Sequence, residues 1–238
     1  LRAERNESDR KGPKREQSGN VCRTAFVFLL SGVKCESYIL PYTHRGALRK
    51  KMKKPGILPK TIISLCDGGG SWSQPYVDAG YNVQRVDLTQ GYDVRRYKMP
   101  KGKVHGVLAA PPCTEFALSG ARWWFEKGHE PLMEGLSVVD ACLRLVLMCE
   151  PEWWCLENPV GRLYRWIGKP AMYFQPCDYG DPYTKKTGLW GKFNKPVTCP
   201  VEPIEGSKMN KLAPGGDRQR LRSETPPGFA RAFFEANP

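Results

Sequence analysis

The chain has 238 residues, 40% hydrophobic and 11% aromatic, enough for one α/β domain with a sizeable core. Its longest apolar run, residues 25–30, is too short to cross a membrane, and Glu4, Glu7, Asp9 and Glu16 ahead of it argue against a secretory signal. Net charge is +13, but residues 1–60 hold fifteen Lys/Arg against five Asp/Glu, so 22 basic and 19 acidic residues leave the remainder at only +3.

In chain order, residues 1–20 are polar and charged and are expected to be disordered. Residues 21–51 show no sustained period, and the first methionine is Met52. A basic leader over 1–51 followed by a single domain over 52–238 is the expected organisation. Such an arm either contacts phosphate without specificity or is simply solvated. From Lys60 the pattern becomes regular. Strands are predicted over 62–66, 82–88, 104–110, 153–156, 172–177 and 188–193. Helices are predicted near 74–79, over 131–149, over 161–167 and over 229–236. In the long helix, Leu132, Leu136, Val139, Leu143, Val146 and Leu147 recur at helical spacing. Residues 195–222, rich in Pro, Gly and Lys, read as loop. Strands alternating with helices predict a mostly parallel, doubly wound α/β sheet of Rossmann-like type.

Three places in this pattern carry chemistry. Asp67-Gly68-Gly69-Gly70-Ser71 joins the first strand to a helix, where glycines let backbone approach a ligand. Asp87 ends the second strand, where an acid commonly holds ribose hydroxyls; a tight turn and a surface acid would look the same. Pro111-Pro112-Cys113-Thr114-Glu115-Phe116-Ala117-Leu118-Ser119-Gly120 follows a buried strand, so a thiol sits in a rigid loop on the ligand side of the sheet. Free cysteines are usually inert core residues, and Glu157 alone is unremarkable. Cys113 and Glu157-Asn158-Pro159 together, each beyond a strand, are what attack on a nucleobase ring needs. The nine cysteines contain no CxxC pair, and His44, His105 and His129 are scattered. These features predict no metal site, no disulfide framework and a reducing cytoplasm. Trp123, Trp124, Trp153 and Trp154 read as core residues rather than stacking platforms.

With these residues in order, the chain from about residue 61 resembles the DNA cytosine-5 methyltransferases, in a short bacterial or phage-type form. The resemblance implies S-adenosylmethionine as cofactor, bound by Asp67, Gly68, Gly69, Gly70 and Pro112. It places Asp87 on the ribose, Asp93 of Asp93-Val94-Arg95 on the adenine, and Thr225 of Thr225-Pro226-Pro227 back at the cofactor pocket. Asp178-Tyr179-Gly180 with Pro182 resembles the segment leading into the family's basic motif. Cys113, Glu157 and Lys185 are the implied catalytic residues, with Pro111, Phe116, Ser119, Asn158 and Lys186 on the substrate. DNA, double- or single-stranded, is the implied partner, with no membrane, no metal, and a separate specificity protein as a further expectation. The chain departs from the family in several ways. Cys66 stands where an aromatic residue is usual, Pro159 replaces a valine, and Lys185 and Thr187 replace two arginines. Only about thirty residues, 191–223, stand where a target-recognition domain belongs. The same chemistry on a single strand or a free cytosine nucleotide therefore stays open. So does a catalytically silent binding protein.

Overall fold

The computed structural model describes residues 59–207, Lys211, Gly215 and 217–238. The basic leader expected over 1–51 lies outside the described residues. A six-stranded sheet forms the centre, built from β1 (Thr61–Leu65), β2 (Asn82–Val86), β3 (Val104–Ala109), β4 (Trp153–Pro159), β5 (Met172–Phe174) and β6 (Thr187–Lys192). Their spatial order is β2-β1-β3-β4-β6-β5. The first four run parallel, whereas β6 runs antiparallel to both its neighbours. The Rossmann-like α/β reading thus describes the molecule, with an antiparallel margin that apolar periodicity cannot reveal.

Alternate strand residues feed two cores, as pleating requires. Ile63, Leu65, Val107, Ala109, Leu156 and Trp190 face α2 (Glu130–Cys149). Ile62, Leu108, Cys155 and Leu189 face the other way, onto Trp72, Tyr76, Phe229 and Phe233. Tyr76 belongs to α1 (Gln74–Asp78), and the two phenylalanines to α5 (Pro227–Ala236). Phe229 stacks on Phe174 with ring centroids 3.8 Å apart, which ties α5 to the sheet. All six residues of β3 are buried, as expected of a strand covered on both faces.

Several expectations need correction. The buried stripe of α2 runs through Leu132, Val139, Cys142, Leu145 and Val146, and Leu147 faces solvent. β4 continues past Leu156 to Pro159, because β6 pairs Leu189, Gly188 and Thr187 with Glu157, Asn158 and Pro159. The helix near 161–167 shrinks to α3 (Tyr164–Ile167). The strand expected over 172–177 stops at Phe174, where a 3-10 turn over Pro176–Tyr179 begins. The presumed loop 195–222 contains α4 (Asp217–Ser223). No described helix is long and apolar enough to cross a membrane.

Candidate active site

Register brings the chemistry to one edge. Leu65 lies beside Ala109, and Ala109 beside Leu156. The turn after β1, the loop after β3 and the last residues of β4 therefore emerge together at the carboxyl edge of the parallel strands, where open α/β sheets bind ligands.

The turn after β1 is held by Asp67. Its carboxylate accepts hydrogen bonds from the Ser64 hydroxyl (2.9 Å), the Trp72 and Ser73 amides (3.2 and 3.0 Å) and the Ser73 hydroxyl (2.8 Å). Asp67 is thus the internal brace of the turn. Gly68 and Gly70 have φ of +44° and +79°, which side chains disfavour. A Cβ on Gly68 would meet nothing within 4 Å, and one on Gly69 only the Ser71 hydroxyl at 4.0 Å. One on Gly70 would strike the Arg85 guanidinium. Gly68 and Gly69 therefore face open space, while Gly70 packs against Arg85. Asp87 accepts from the Gly68 amide at 3.1 Å and from the Thr89 amide at 2.8 Å, fixing the second turn against the first. Leu88 beside it is 71% exposed, an apolar surface that the sequence pattern did not single out. Asp93 is held by Arg95, whose guanidinium also grips Glu134 of α2. Hydrogen bonds from Arg95 lower the Asp93 carboxyl to about 2. Thr225 is buried just ahead of α5.

The loop after β3 is stapled to the chain after β4. The Asn158 side-chain amide donates to the Pro111 carbonyl (3.0 Å), and the Leu118 amide to the Val160 carbonyl (2.9 Å). The Arg162 backbone amide donates to the Phe116 carbonyl (2.8 Å), and its Nε to the Glu115 carbonyl (2.7 Å). A Cβ on Gly161 would collide with the Phe116 carbonyl, so only glycine permits this approach. Phe116 itself is fully buried in the core beside α2, and Asn158 is fully buried as well. Both help to shape the loop: Phe116 through its packing and Asn158 through its bond to Pro111. Pro112 and Ser119 are exposed, Cys113 is half-buried and Pro111 is buried.

Cys113, Glu157 and Lys185 are close enough to feel one another's charge. Burial pushes the Cys113 thiol up and the Glu157 carboxylate adds to this; Lys185 pulls it down, with a smaller pull from Arg222. Glu157 is 5% exposed, and burial raises its carboxyl, with Lys185 opposing. Its Oε2 has no hydrogen-bond partner. A buried carboxyl oxygen left unpaired is costly, and this one lies at the edge where open α/β sheets bind ligands. The Lys185 ammonium donates to the Glu224 carbonyl at 3.3 Å, and Arg222 donates to the Ser119 hydroxyl at 3.1 Å. These contacts lean the end of α4 over the cysteine loop. Arg222 lies in the stretch that the sequence pattern reads as loop; its bond to Ser119 is a tertiary contact spanning about a hundred residues. Lys186 is exposed, with its ammonium 5.2 Å from the Tyr173 ring centroid. Trp123 is half exposed, not core, with the Arg122 guanidinium 4.9 Å from its ring. Among the described residues no group of His, Cys, Asp and Glu is arranged to hold a metal.

No protein-family model and no curated protein matches the chain. Among solved structures it is similar to a prophage-encoded E. coli chain to which DNA modification methyltransferase activity is ascribed, at 17% identity and a TM-score of 0.39. The match covers 66% of this chain and 49% of that one, so this chain spans about half that protein's length. A likeness of that size does not identify a family.

Proposed function

We propose that the protein transfers a methyl group to carbon 5 of cytosine in DNA through a transient covalent bond to Cys113. The observation that carries this reading is the Glu157 Oε2, buried and unpartnered beside a half-buried thiol and a lysine. A thiol alone suits many reactions. A thiol with a carboxyl group whose proton affinity is raised suits attack on a ring bearing a basic nitrogen.

The residues fit S-adenosylmethionine, which when bound supplies an electrophilic methyl group. In this reading Gly68 and Gly69 face the cofactor, Asp87 and Asp93 are the acids that meet its hydroxyl and amino groups, and the exposed Leu88 offers an apolar face. Pro112 and Thr225 are the further residues assigned to this pocket.

The Cys113 thiolate adds to carbon 6, and the electrons of the 5,6 double bond become available at carbon 5. Glu157 holds the proton at ring nitrogen 3, so the ring need not carry the negative charge. Carbon 5 then takes the methyl group. Loss of the carbon 5 proton to solvent base restores the double bond, breaks the sulfur–carbon 6 bond and returns the thiolate. Lys185 favours the charged forms of both Cys113 and Glu157. In a duplex the cytosine must leave the stack to reach Cys113.

The test is incubation with S-adenosylmethionine and cytosine-containing DNA, with the nucleosides resolved by mass spectrometry. The expected product is 5-methylcytosine, abolished by Cys113→Ser and slowed about 10²–10⁴-fold by Glu157→Gln. Methylation at the amino nitrogen, or none with cofactor bound, contradicts the proposal.

A further inference from the structure

A second aromatic feature lies beside the cysteine loop. Tyr164 of α3 and Tyr173 of β5 line one cleft with Val160, Gly161, Leu163 and Trp190. The tyrosines are 47% and 49% exposed, so their rings are available at the rim. The chain that lines the cleft is hydrogen-bonded to the segments that carry the site. The Val160 carbonyl accepts from the Leu118 amide in the cysteine loop, and its amide donates to the Lys186 carbonyl at 3.1 Å. Lys186 follows Lys185, whose charge acts on Cys113 and Glu157. Its own ammonium lies over one face of the Tyr173 ring.

Charge selects among occupants. Residues 159–173 contain Arg162, Arg165 and Lys169 and no acid. Arg165 and Lys169 are exposed, as is Lys186. Exposed aromatic rings interleaved with cations suit a polyanion that carries flat, unstacked rings. That is the chemistry of single-stranded nucleic acid, where bases stack on aromatic side chains and cations follow the phosphates. In a duplex the base faces are already stacked, so these tyrosines would have nothing to meet.

We infer that this cleft binds a base next to the target cytosine in single-stranded DNA, stacking it on Tyr164 or Tyr173 while Lys186 and Arg165 contact the flanking phosphates. The inference rests on the proposed reading of the Cys113 loop as a DNA site, and it names the form of the DNA.

The test is fluorescence anisotropy of the full chain with a labelled twelve-nucleotide single strand, the same strand with central abasic positions, and its duplex. Wild type should bind the intact strand at least about five-fold more tightly than the abasic one, the low end of one stacked base. It should also prefer that strand to the duplex. Tyr164→Ala with Tyr173→Ala should remove the preference for bases, and the paired Tyr→Phe changes should keep it. A second measurement uses the unaltered protein: a strand carrying 5-iodouracil beside the cytosine should photocross-link to Tyr164 or Tyr173. Equal binding of intact and abasic strands overturns the inference. So do tighter duplex binding, a preference undiminished by the alanine changes, or cross-links confined to other residues. None of these readouts needs turnover. Stacking without 5-methylcytosine would refute the chemistry alone, and 5-methylcytosine without stacking the cleft alone.

Discussion

At the residue scale the site depends on two groups that burial pushes toward their neutral forms. The Glu157 carboxyl is raised by burial, so the folded state holds its proton to higher pH than the unfolded chain does. This contribution to stability is complete below the unfolded pKa and is lost as pH rises through the folded one. Glu157→Gln should therefore gain in melting temperature relative to wild type as pH increases from 5 to 8. A constant difference between the two proteins would show that the carboxyl is not strained. Cys113 is raised by burial and opposed by Lys185 and Arg222. Arg222→Gln should shift iodoacetamide alkylation of Cys113 to higher pH, read by peptide mass spectrometry across a pH series, and an unmoved profile would remove Arg222 from the site. The sequence pattern points to Cys113 and Glu157 because one follows a recognisable strand and the other lies near the end of one. Arg222 was not, because its contact with Ser119 depends on how α4 folds back, which no local spacing encodes.

At the element scale the cysteine loop is fixed by backbone contacts between consecutive crossovers of the sheet. Gly161 is the tightest point, since any side chain there strikes the Phe116 carbonyl. Gly161→Ala should cost about 3 kcal/mol, roughly 6–12 °C in Tm, with a further loss of activity as the loop moves. A melt within 1–2 °C of wild type, on the order of 0.5 kcal/mol, would mean that the loop yields freely. The parallel strands were legible from their apolar runs. The length of β4 was not: its last three residues are strand because β6 pairs with them, and the pairing partner lies thirty residues on. The same limit hid the burial of Phe116, which reads like a loop residue until the contact with Gly135 of α2 is seen. The α4 helix was missed because Pro, Gly and Lys dominate the surrounding composition.

At the scale of the whole molecule, positive charge is concentrated in one part of the sequence. Residues 1–51 hold twelve Lys/Arg and five Asp/Glu, more than half of the net positive charge. We expect a chain starting at Met52 to melt and bind cofactor as the full chain does, with weaker DNA binding and a shallower dependence on salt. A shortened chain that precipitates or melts without cooperativity would show that residues 1–51 support the fold. The central claim is the covalent bond from Cys113 to carbon 6, and a DNA strand carrying 5-fluorocytosine tests it most directly. Fluorine cannot leave carbon 5 as a proton does, so the protein should stay attached after methyl transfer. The account predicts an S-adenosylmethionine-dependent adduct on the peptide bearing Cys113, absent from Cys113→Ser. Formation of 5-methylcytosine on ordinary DNA with no adduct on the fluorinated strand, or an adduct on another cysteine, would contradict it.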